Sequence, residues 1–194
     1  GSVIHYDSPR ACDRVFPFFP AVDGEPWDAE GAAPLLTRWS VDLAQNDPVV
    51  RHEPLTSIHG DFPRIDERYA MRRNRFGWIV GYDPQYGGPA AGGGSMALNA
   101  IVQHDLETGA RTSYHVGEGC SPQEPQFVPR SADALEGDGY LLMVRHRVNE
   151  MLSDLVILDT ADLAAGPVAV IKLPIRLRRG LHGTWVSREA LERA

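Results

Sequence analysis

Short stretches of alternating apolar and polar residues occur along most of the chain. The period of two is clearest over residues 37–43, where it predicts a strand with one buried face. Similar stretches predict further strands over residues 1–7, 76–81, 96–104, 111–116, 140–147, 154–158 and 168–173. Turn residues separate 96–104 from 111–116, so these two strands are expected to form a hairpin. The strands 140–147 and 154–158 are expected to form a second antiparallel pair.

No long amphipathic helix is predicted. Residues 28–36 and 187–193 are each long enough for only one or two helical turns. Many short strands separated by glycine and proline are typical of an all-β fold, and the pattern leaves a sandwich, a barrel and a propeller open.

Composition places the chain among globular proteins. Of its 194 residues, 43% are hydrophobic and 23% are charged. We find no apolar run approaching the ~20 residues of a membrane span, and the net charge of −7 argues against a nucleic-acid partner. Cys12 and Cys120 are too few for a disulfide framework and lack zinc spacing. We therefore predict reduced thiols and a cytoplasmic protein.

The most informative histidine is His182, between two glycines in the run Gly-Leu-His-Gly-Thr-Trp. Its apolar neighbours predict an imidazole held inside the protein. A buried histidine bonded to a backbone carbonyl would give the same pattern. The remaining histidines are predicted to be surface or hydrogen-bonded structural residues: His52, His59, His104, His115 and His146. A cross-strand pair of His104 and His115 has no carboxylate or cysteine at ligand spacing to complete a site, and His5 is left unassigned.

Two other stretches predict no chemistry. The glycine-rich run 87–95 lacks the Gly-Lys-Ser/Thr ending of a phosphate loop, so we interpret it as an inter-strand loop. The aromatic cluster 16–20 is interpreted as core packing.

Four further motifs precede the His182 turn in a fixed order. They are Gly-Asp-Phe-Pro-Arg-Ile-Asp (60–66), Glu-Pro-Gln-Phe-Val-Pro-Arg (124–130), Glu-Gly-Asp-Gly-Tyr-Leu-Leu (136–142) and Ser-Asp-Leu-Val-Ile-Leu-Asp (153–159). Together with the turn, this set closely resembles the C-terminal part of the carotenoid cleavage oxygenase family, and within it the lignostilbene dioxygenases. The resemblance covers residues 3–186.

The resemblance implies a seven-bladed β-propeller with one Fe(II) on its axis, held by four histidines. His182 matches the last of these ligands, and the other three lie upstream of residue 3 in the order of the family. Glu124 matches a glutamate that accepts the second ring N–H of a ligand and so orients it. Asp61 stands where the family usually has a second such glutamate. Its side chain is one methylene shorter, so we hypothesise that it orients its ligand through water; a plain turn residue after Gly60 is the alternative.

The resemblance also implies the activity and the partners. Residues 1–194 are expected to be the C-terminal part, about half, of a single propeller domain, incomplete and inactive without the N-terminal part on the same or a separate chain. The complete enzyme would cleave the central C=C bond of a hydrophobic conjugated alkene, a stilbenoid, with O₂ to give two aldehydes. An apocarotenoid cleavage oxygenase and a non-catalytic, metal-free binding module are the alternatives.

Overall fold

Antiparallel β-strands form almost all of the regular structure of the protein. The computed structural model describes residues 2–15, 19, 21–28, 31–86 and 98–193. Within them the elements are β1 (Val3–Arg10), β2 (Leu35–Asp42), β3 (Arg51–Ile65), β4 (Phe76–Gly81), β5 (Ala100–Asp105), β6 (Arg111–His115), β7 (Cys120–Pro122), β8 (Gln126–Pro129), β9 (Gly139–Arg147), β10 (Leu152–Asp159), β11 (Pro167–Leu173) and α1 (Arg188–Glu192). Short 3₁₀ segments lie at Glu67–Tyr69, Pro84–Tyr86 and Thr160–Ala165, the last with a kink at Asp162. The predicted all-β class is confirmed. The loop at 87–95, and the cluster at 16–20 apart from Phe19, lie outside the described residues.

The first sheet contains β1 to β6 in chain order, each strand antiparallel to the next. The long strand β3 joins its two halves, because residues 51–54 pair with β2 and residues 60–65 pair with β4. At Gly60 the two strands come so close that a Cβ would lie 2.6 Å from the carbonyl oxygen of Val80. Only glycine fits there without a backbone shift.

The second sheet is built on β9. Its order is β11–β10–β9–β7, and β8 pairs with the other end of β9 beyond β7. The loop between β7 and β8 therefore lies beside the middle of β9, and this loop carries Glu124.

The main core lies between the two sheets. Trp78 and Ile101 of the first sheet are fully buried against Leu141 and Leu158 of the second, and the Trp78 ring stacks on that of Phe127 with 4.7 Å between centroids. Burial of each such side chain contributes about 1.5–3 kcal/mol. The opposite face of β4 and β5 is buried too, in a smaller cluster of Leu36, Ile79, Ala100 and Val102. These two strands are thus apolar on both faces.

Most of the predicted strands are confirmed, including both hairpins, and so is the short C-terminal helix, which Ser187 caps by accepting from the N–H of Ala190. Strand β3 was not predicted, because its sequence begins with the polar and exposed run Arg51–Pro54. Strands β7 and β8 were missed because they have only 3 and 4 residues and each ends in proline. In the described part of the chain, no helix is long and apolar enough to cross a membrane.

Candidate metal-ligand site at the His182 turn

The site is centred on a buried carboxylate. Glu124 follows β7, and its side chain is only 6% exposed. Pro125 comes next and restricts the backbone of both residues. Burial of an ionised carboxylate is costly unless hydrogen-bond donors surround it. The donors come from three separate segments of the chain.

Each carboxylate oxygen of Glu124 has its own partners. Oε1 lies 3.3 Å from Nδ1 of His182 and 3.2 Å from Nε of Arg64. Oε2 accepts hydrogen bonds from the backbone N–H of Gly183 (3.0 Å), from Nε2 of Gln126 (3.2 Å) and from Nη2 of Arg64 (3.3 Å). The carboxylate thus holds both the side chain of His182 and the backbone of the next residue.

His182 lies in an irregular segment, residues 174–187, that follows β11. The edge of its ring faces the ring of Phe62, with 6.0 Å between centroids and 70° between planes. A proton on Nδ1, donated to Glu124, leaves the Nε2 lone pair as the free donor atom of the imidazole. This is the arrangement that orients histidine ligands in metal sites.

The prediction that the imidazole lies inside the protein is wrong for this chain, because the side chain of His182 is 75% exposed. The neighbouring Leu181 and Trp185 are 67% and 51% exposed. Their apolar character indicated burial, but segment 174–187 pairs with no strand and lies over the surface of the second sheet. A carboxylate partner, rather than burial, distinguishes this histidine.

Arg64, in the second half of β3, is the residue to which sequence analysis assigned no role. Its Nη2 donates to the carbonyl oxygen of Gly183 (2.6 Å) and to Oε1 of Gln126 (2.8 Å), besides Glu124. Its Nη1 donates to Glu67 (3.0 Å). The only hint in the sequence is its place in the motif 60–66, three residues after Asp61.

Asp61 is placed differently from Glu124. Its carboxylate accepts a hydrogen bond from the N–H of Phe62 (2.7 Å), and Phe62 has a left-handed φ of 56°. The pairing of β3 with β4 shifts register between Asp61 and Arg64. Asp61 therefore stabilises a bulge that turns Phe62 toward His182.

Five of the other histidines have partners. This agrees with the sequence analysis for all of them except His5, to which it assigned no role. His5 bonds Ser40 (2.8 Å), His59 bonds the carbonyl of Ala33 (3.1 Å), His52 packs on Trp39, His115 stacks on Tyr86, and His146 bonds Ser153 (3.1 Å) and Gln123 (2.7 Å). Burial, followed by the charges of two nearby arginines, lowers the pKa of His146.

His104 departs from the prediction. It is 3% exposed, and its Nε2 has no hydrogen-bond partner. Burial, and then the charge of Arg111 on the paired strand, lower its pKa to about 4. His104 pairs with Arg111 whereas His115 pairs with Ala100, so the two histidines lie at opposite ends of their hairpin. Within the described ranges, no group of three or more histidine, cysteine, aspartate or glutamate side chains is placed to hold a metal ion.

A recess of about 200 Å³ adjoins the candidate ligand. Its wall includes His182 and Glu124 together with apolar side chains of the second sheet and the turn, among them Leu142, Leu155 and Trp185. An apolar wall beside one exposed imidazole suits a hydrophobic ligand better than a charged one.

Comparison with known proteins gives consistent matches over almost the whole chain. The family model described as retinal pigment epithelial membrane protein matches residues 1–187. Lignostilbene-alpha,beta-dioxygenase isozyme III of Sphingomonas paucimobilis is 43% identical over 194 residues, covering 98% of this chain and 40% of that protein. Isoeugenol monooxygenase of Pseudomonas nitroreducens is 43% identical over 179 residues, covering 90% and 37%.

Solved structures agree with these matches. The crystal structure of Pseudomonas brassicacearum lignostilbene dioxygenase superposes with a TM-score of 0.85 at 36% identity, covering 96% of this chain and 39% of that one. The cobalt-substituted oxygenase of Synechocystis superposes with a TM-score of 0.77 at 27% identity, covering 95% and 37%. The chain thus spans about 40% of the length of the relatives that it matches.

Proposed function

Because the chain belongs to the retinal pigment epithelial membrane protein family, that of the carotenoid cleavage oxygenases, we propose that it is the C-terminal part of an Fe(II)-dependent dioxygenase. The enzyme cleaves the central C=C bond of a stilbenoid with O₂, and each of the two aldehydes receives one oxygen atom. The 43% identity to a lignostilbene dioxygenase favours a stilbenoid over an apocarotenoid, since the apocarotenoid oxygenase of Synechocystis is 31% identical.

The observation that carries the proposal is the contact between Glu124 and Nδ1 of His182. It leaves Nε2 as a neutral nitrogen donor of the kind that suits ferrous iron. Glu124 supplies negative charge next to a site whose neutral ligands do not offset the charge of the metal. A metal-free binding module would have no need of this pair. When bound, Fe(II) supplies the one-electron O₂ chemistry that side chains lack.

One imidazole is not a complete site, so we propose that three further histidines come from the part of the fold that this chain does not contain. In this proposal residues 1–194 form about the C-terminal half of a single seven-bladed propeller. Exposed apolar residues on the outer strands support it: Val3, Ile4 and Tyr6 on β1, and Val168, Val170 and Ile171 on β11. Outer strands left unpaired would otherwise favour aggregation.

Substrate binding is assigned to the apolar recess beside His182. Its apolar side chains, covered by the part of the fold that this chain does not contain, would exclude water and hold a planar conjugated chain beside the imidazole. Asp61 is proposed to orient one of the histidines contributed from outside this chain, in addition to its bond with Phe62. We place the protein in the cytoplasm, and the free thiols of Cys12 and Cys120 support this assignment.

Intact mass and iron content, measured on the same purified sample, test the proposal. We expect a polypeptide that includes the N-terminal part, on the same chain or a second one, and about one iron per assembly. The His182→Ala variant should lose the iron, whereas His5→Ala, which removes an exposed histidine bonded to Ser40, should keep it. A lone 21.4 kDa chain without iron would contradict the proposal. Cleavage of a stilbene but not of an apocarotenal would separate the two substrate classes.

A further inference from the structure

We propose that Arg64 is a positioning residue that fixes the His182 turn against Glu124, so that the imidazole is held in one orientation. This inference rests on the proposed function, because it assumes that His182 is a metal ligand. It concerns a residue that touches neither the free imidazole nitrogen nor the apolar recess.

The first argument is connectivity. The guanidinium of Arg64 joins three segments that are far apart in sequence: β3, the start of β8 and the turn at residues 182–183. Its Nη2 reaches Gln126, 62 residues away, and Gly183, 119 residues away. Among the contacts of Arg64 and Glu124, those to Gly183 fix the backbone beside the histidine.

The second argument is how Gly183 is held. Its N–H donates to the carboxylate of Glu124 (3.0 Å), while its carbonyl accepts from the guanidinium of Arg64 (2.6 Å). Opposite charges thus hold the two peptide groups of the same residue. Hydrogen bonds to charged groups are about twice as strong as neutral ones. The backbone that carries His182 is therefore fixed by the ion pair as a unit.

The third argument is the orientation of the guanidinium. In the pairs Arg38–Asp7, Arg75–Asp105 and Arg68–Asp66, both Nε and Nη2 donate to one carboxylate over 2.6–3.0 Å. Arg64 departs from this geometry. Its Nε lies 3.2 Å from Glu124 but at an angle that makes no hydrogen bond, and this buried atom has no other partner.

Arg64 gives up the two-point contact, and its shortest bond goes to the carbonyl of Gly183 instead. Its hydrogen bond to the carboxylate goes to Oε2, and the hydrogen bond at Oε1 is made by His182. Arginine–carboxylate pairs without the fork occur elsewhere, as between Nε of Arg147 and Asp154. The bond to the carbonyl of Gly183, rather than the missing fork, therefore links Arg64 to the turn. The observed orientation of the Arg64 guanidinium thus holds the backbone of the turn at Gly183.

The test compares Arg64→Met and Arg64→Lys with Arg38→Met in the full protein. Arg38 is a matched control, because its side chain is 24% exposed against 22% for Arg64 and it also pairs with a carboxylate across two strands. Two quantities are measured: the affinity of the metal-free protein for Co²⁺, by chelator competition with the visible spectrum of the bound ion, and amide hydrogen exchange of peptides covering residues 180–186.

We expect Arg64→Met to weaken Co²⁺ binding by about 10–100-fold, as is typical when a group that orients a ligand is removed. It should also change the Co²⁺ spectrum and accelerate exchange of the Gly183 amide, which donates to Glu124, at least tenfold. Arg38→Met should change neither. Lysine keeps the charge but lacks the planar fork, so Arg64→Lys should recover only part of the affinity. It also serves as the test variant if Arg64→Met does not fold.

Unchanged exchange across 180–186 in Arg64→Met would overturn the inference, whatever happens to the metal. Accelerated exchange with unchanged Co²⁺ affinity and spectrum would also overturn it, since Arg64 would then be only structural. Failure of the unmodified protein to bind Co²⁺ contradicts the proposed function instead. The exchange data then show only whether Arg64 holds the turn, and unchanged exchange would still overturn the inference.

Discussion

Two buried carboxylates of the second sheet each pair with arginine but differ in where their other partners lie. Asp154 is fully buried in β10, and Arg145 and Arg147 of the neighbouring β9 bind its two oxygens over 2.6–3.1 Å. Glu124 is almost as buried, yet its partners come from β3, β8 and the His182 turn. One cluster is local and contains only arginines, whereas the other is long-range and ends in an exposed imidazole.

The difference separates a structural carboxylate from a candidate functional one. Asp154 and its arginines pair within a single hairpin, so the hydrogen bonds of the carboxylate are satisfied as soon as β9 and β10 meet. The Glu124 cluster forms only when three distant segments are in place, which is an entropic cost with no advantage for stability alone. What it produces is a histidine held at Nδ1 and free at Nε2. A substitution of Asp154 should therefore lower mainly the stability, whereas a substitution of Glu124 should lower mainly the metal affinity.

The largest effect expected is on stability, at Asp154. Asp154→Asn removes the ionised partner of Arg145 and one of the two partners of Arg147, whose side chains are only 17% and 14% exposed. Loss of one member of a buried ion pair costs about 3–5 kcal/mol, and we expect about 3 here because Arg147 keeps its contact with Glu150. Urea unfolding measures it. Asp7→Asn, at a pair exposed by about a quarter, is the control and should cost about 1 kcal/mol or less. Equal losses of stability in the two variants would show that the Asp154 cluster contributes no more than an exposed ion pair.

His104 is a buried imidazole without a carboxylate partner. We expect its titration to change the free energy of unfolding by up to about 3 kcal/mol. Its pKa falls from 6.5 to about 4 in the folded protein, through burial first and the charge of Arg111 second. The unfolded chain therefore takes up the proton first. The contribution of neutral His104 to the free energy of unfolding is fully present above about pH 6.5 and is lost as the pH falls toward 4.

The check is urea unfolding at several pH values between 7 and 4 for the protein and for His104→Leu. The variant should lose less stability over this interval, and the difference isolates His104 from the carboxylates that also titrate. Parallel curves would show that the imidazole is solvated or paired in solution.

A smaller effect is expected at Glu124, and on a different quantity. Glu124→Gln keeps the size of the side chain but removes the charge and one acceptor for His182. Metal affinity should fall about 10–100-fold, or roughly 1.4–2.7 kcal/mol. Asp154→Asn, assayed under conditions where it remains folded, should bind metal normally. Chelator competition on both variants measures this, and a loss of affinity in Asp154→Asn alone would reverse the assignment of the two clusters.

Sequence reasoning found the all-β class and the two hairpins from short-range patterns. It also singled out Glu124 and His182 from motifs, but not their contact with each other. It placed His182 inside the protein and His104 among the satisfied residues, and both placements are wrong. Burial depends on which surface a segment meets, and nothing within residues 180–185 shows that they lie unpaired over a sheet. Arg64 was missed for the same reason, since its partners lie 60 to 119 residues away. Local sequence patterns identify the candidate functional residues, whereas contacts between distant segments decide their burial and their hydrogen-bond partners.

The smallest effect is expected at Asp61, where the site departs from the usual glutamate of the family. Aspartate bonds the N–H of Phe62 (2.7 Å), and glutamate, one methylene longer, would give up that bond. If Asp61 orients an iron ligand through water, Asp61→Glu reaches the ligand directly. Iron occupancy should then stay within about threefold of the original or rise, with a stability loss of about 1 kcal/mol from the bulge. Asp61→Asn is the control, because it keeps the length and the bond to Phe62 but not the charge, and it should lower occupancy. A sharp fall in occupancy in Asp61→Glu with none in Asp61→Asn would mean that Asp61 acts only through the bulge that turns Phe62 toward His182.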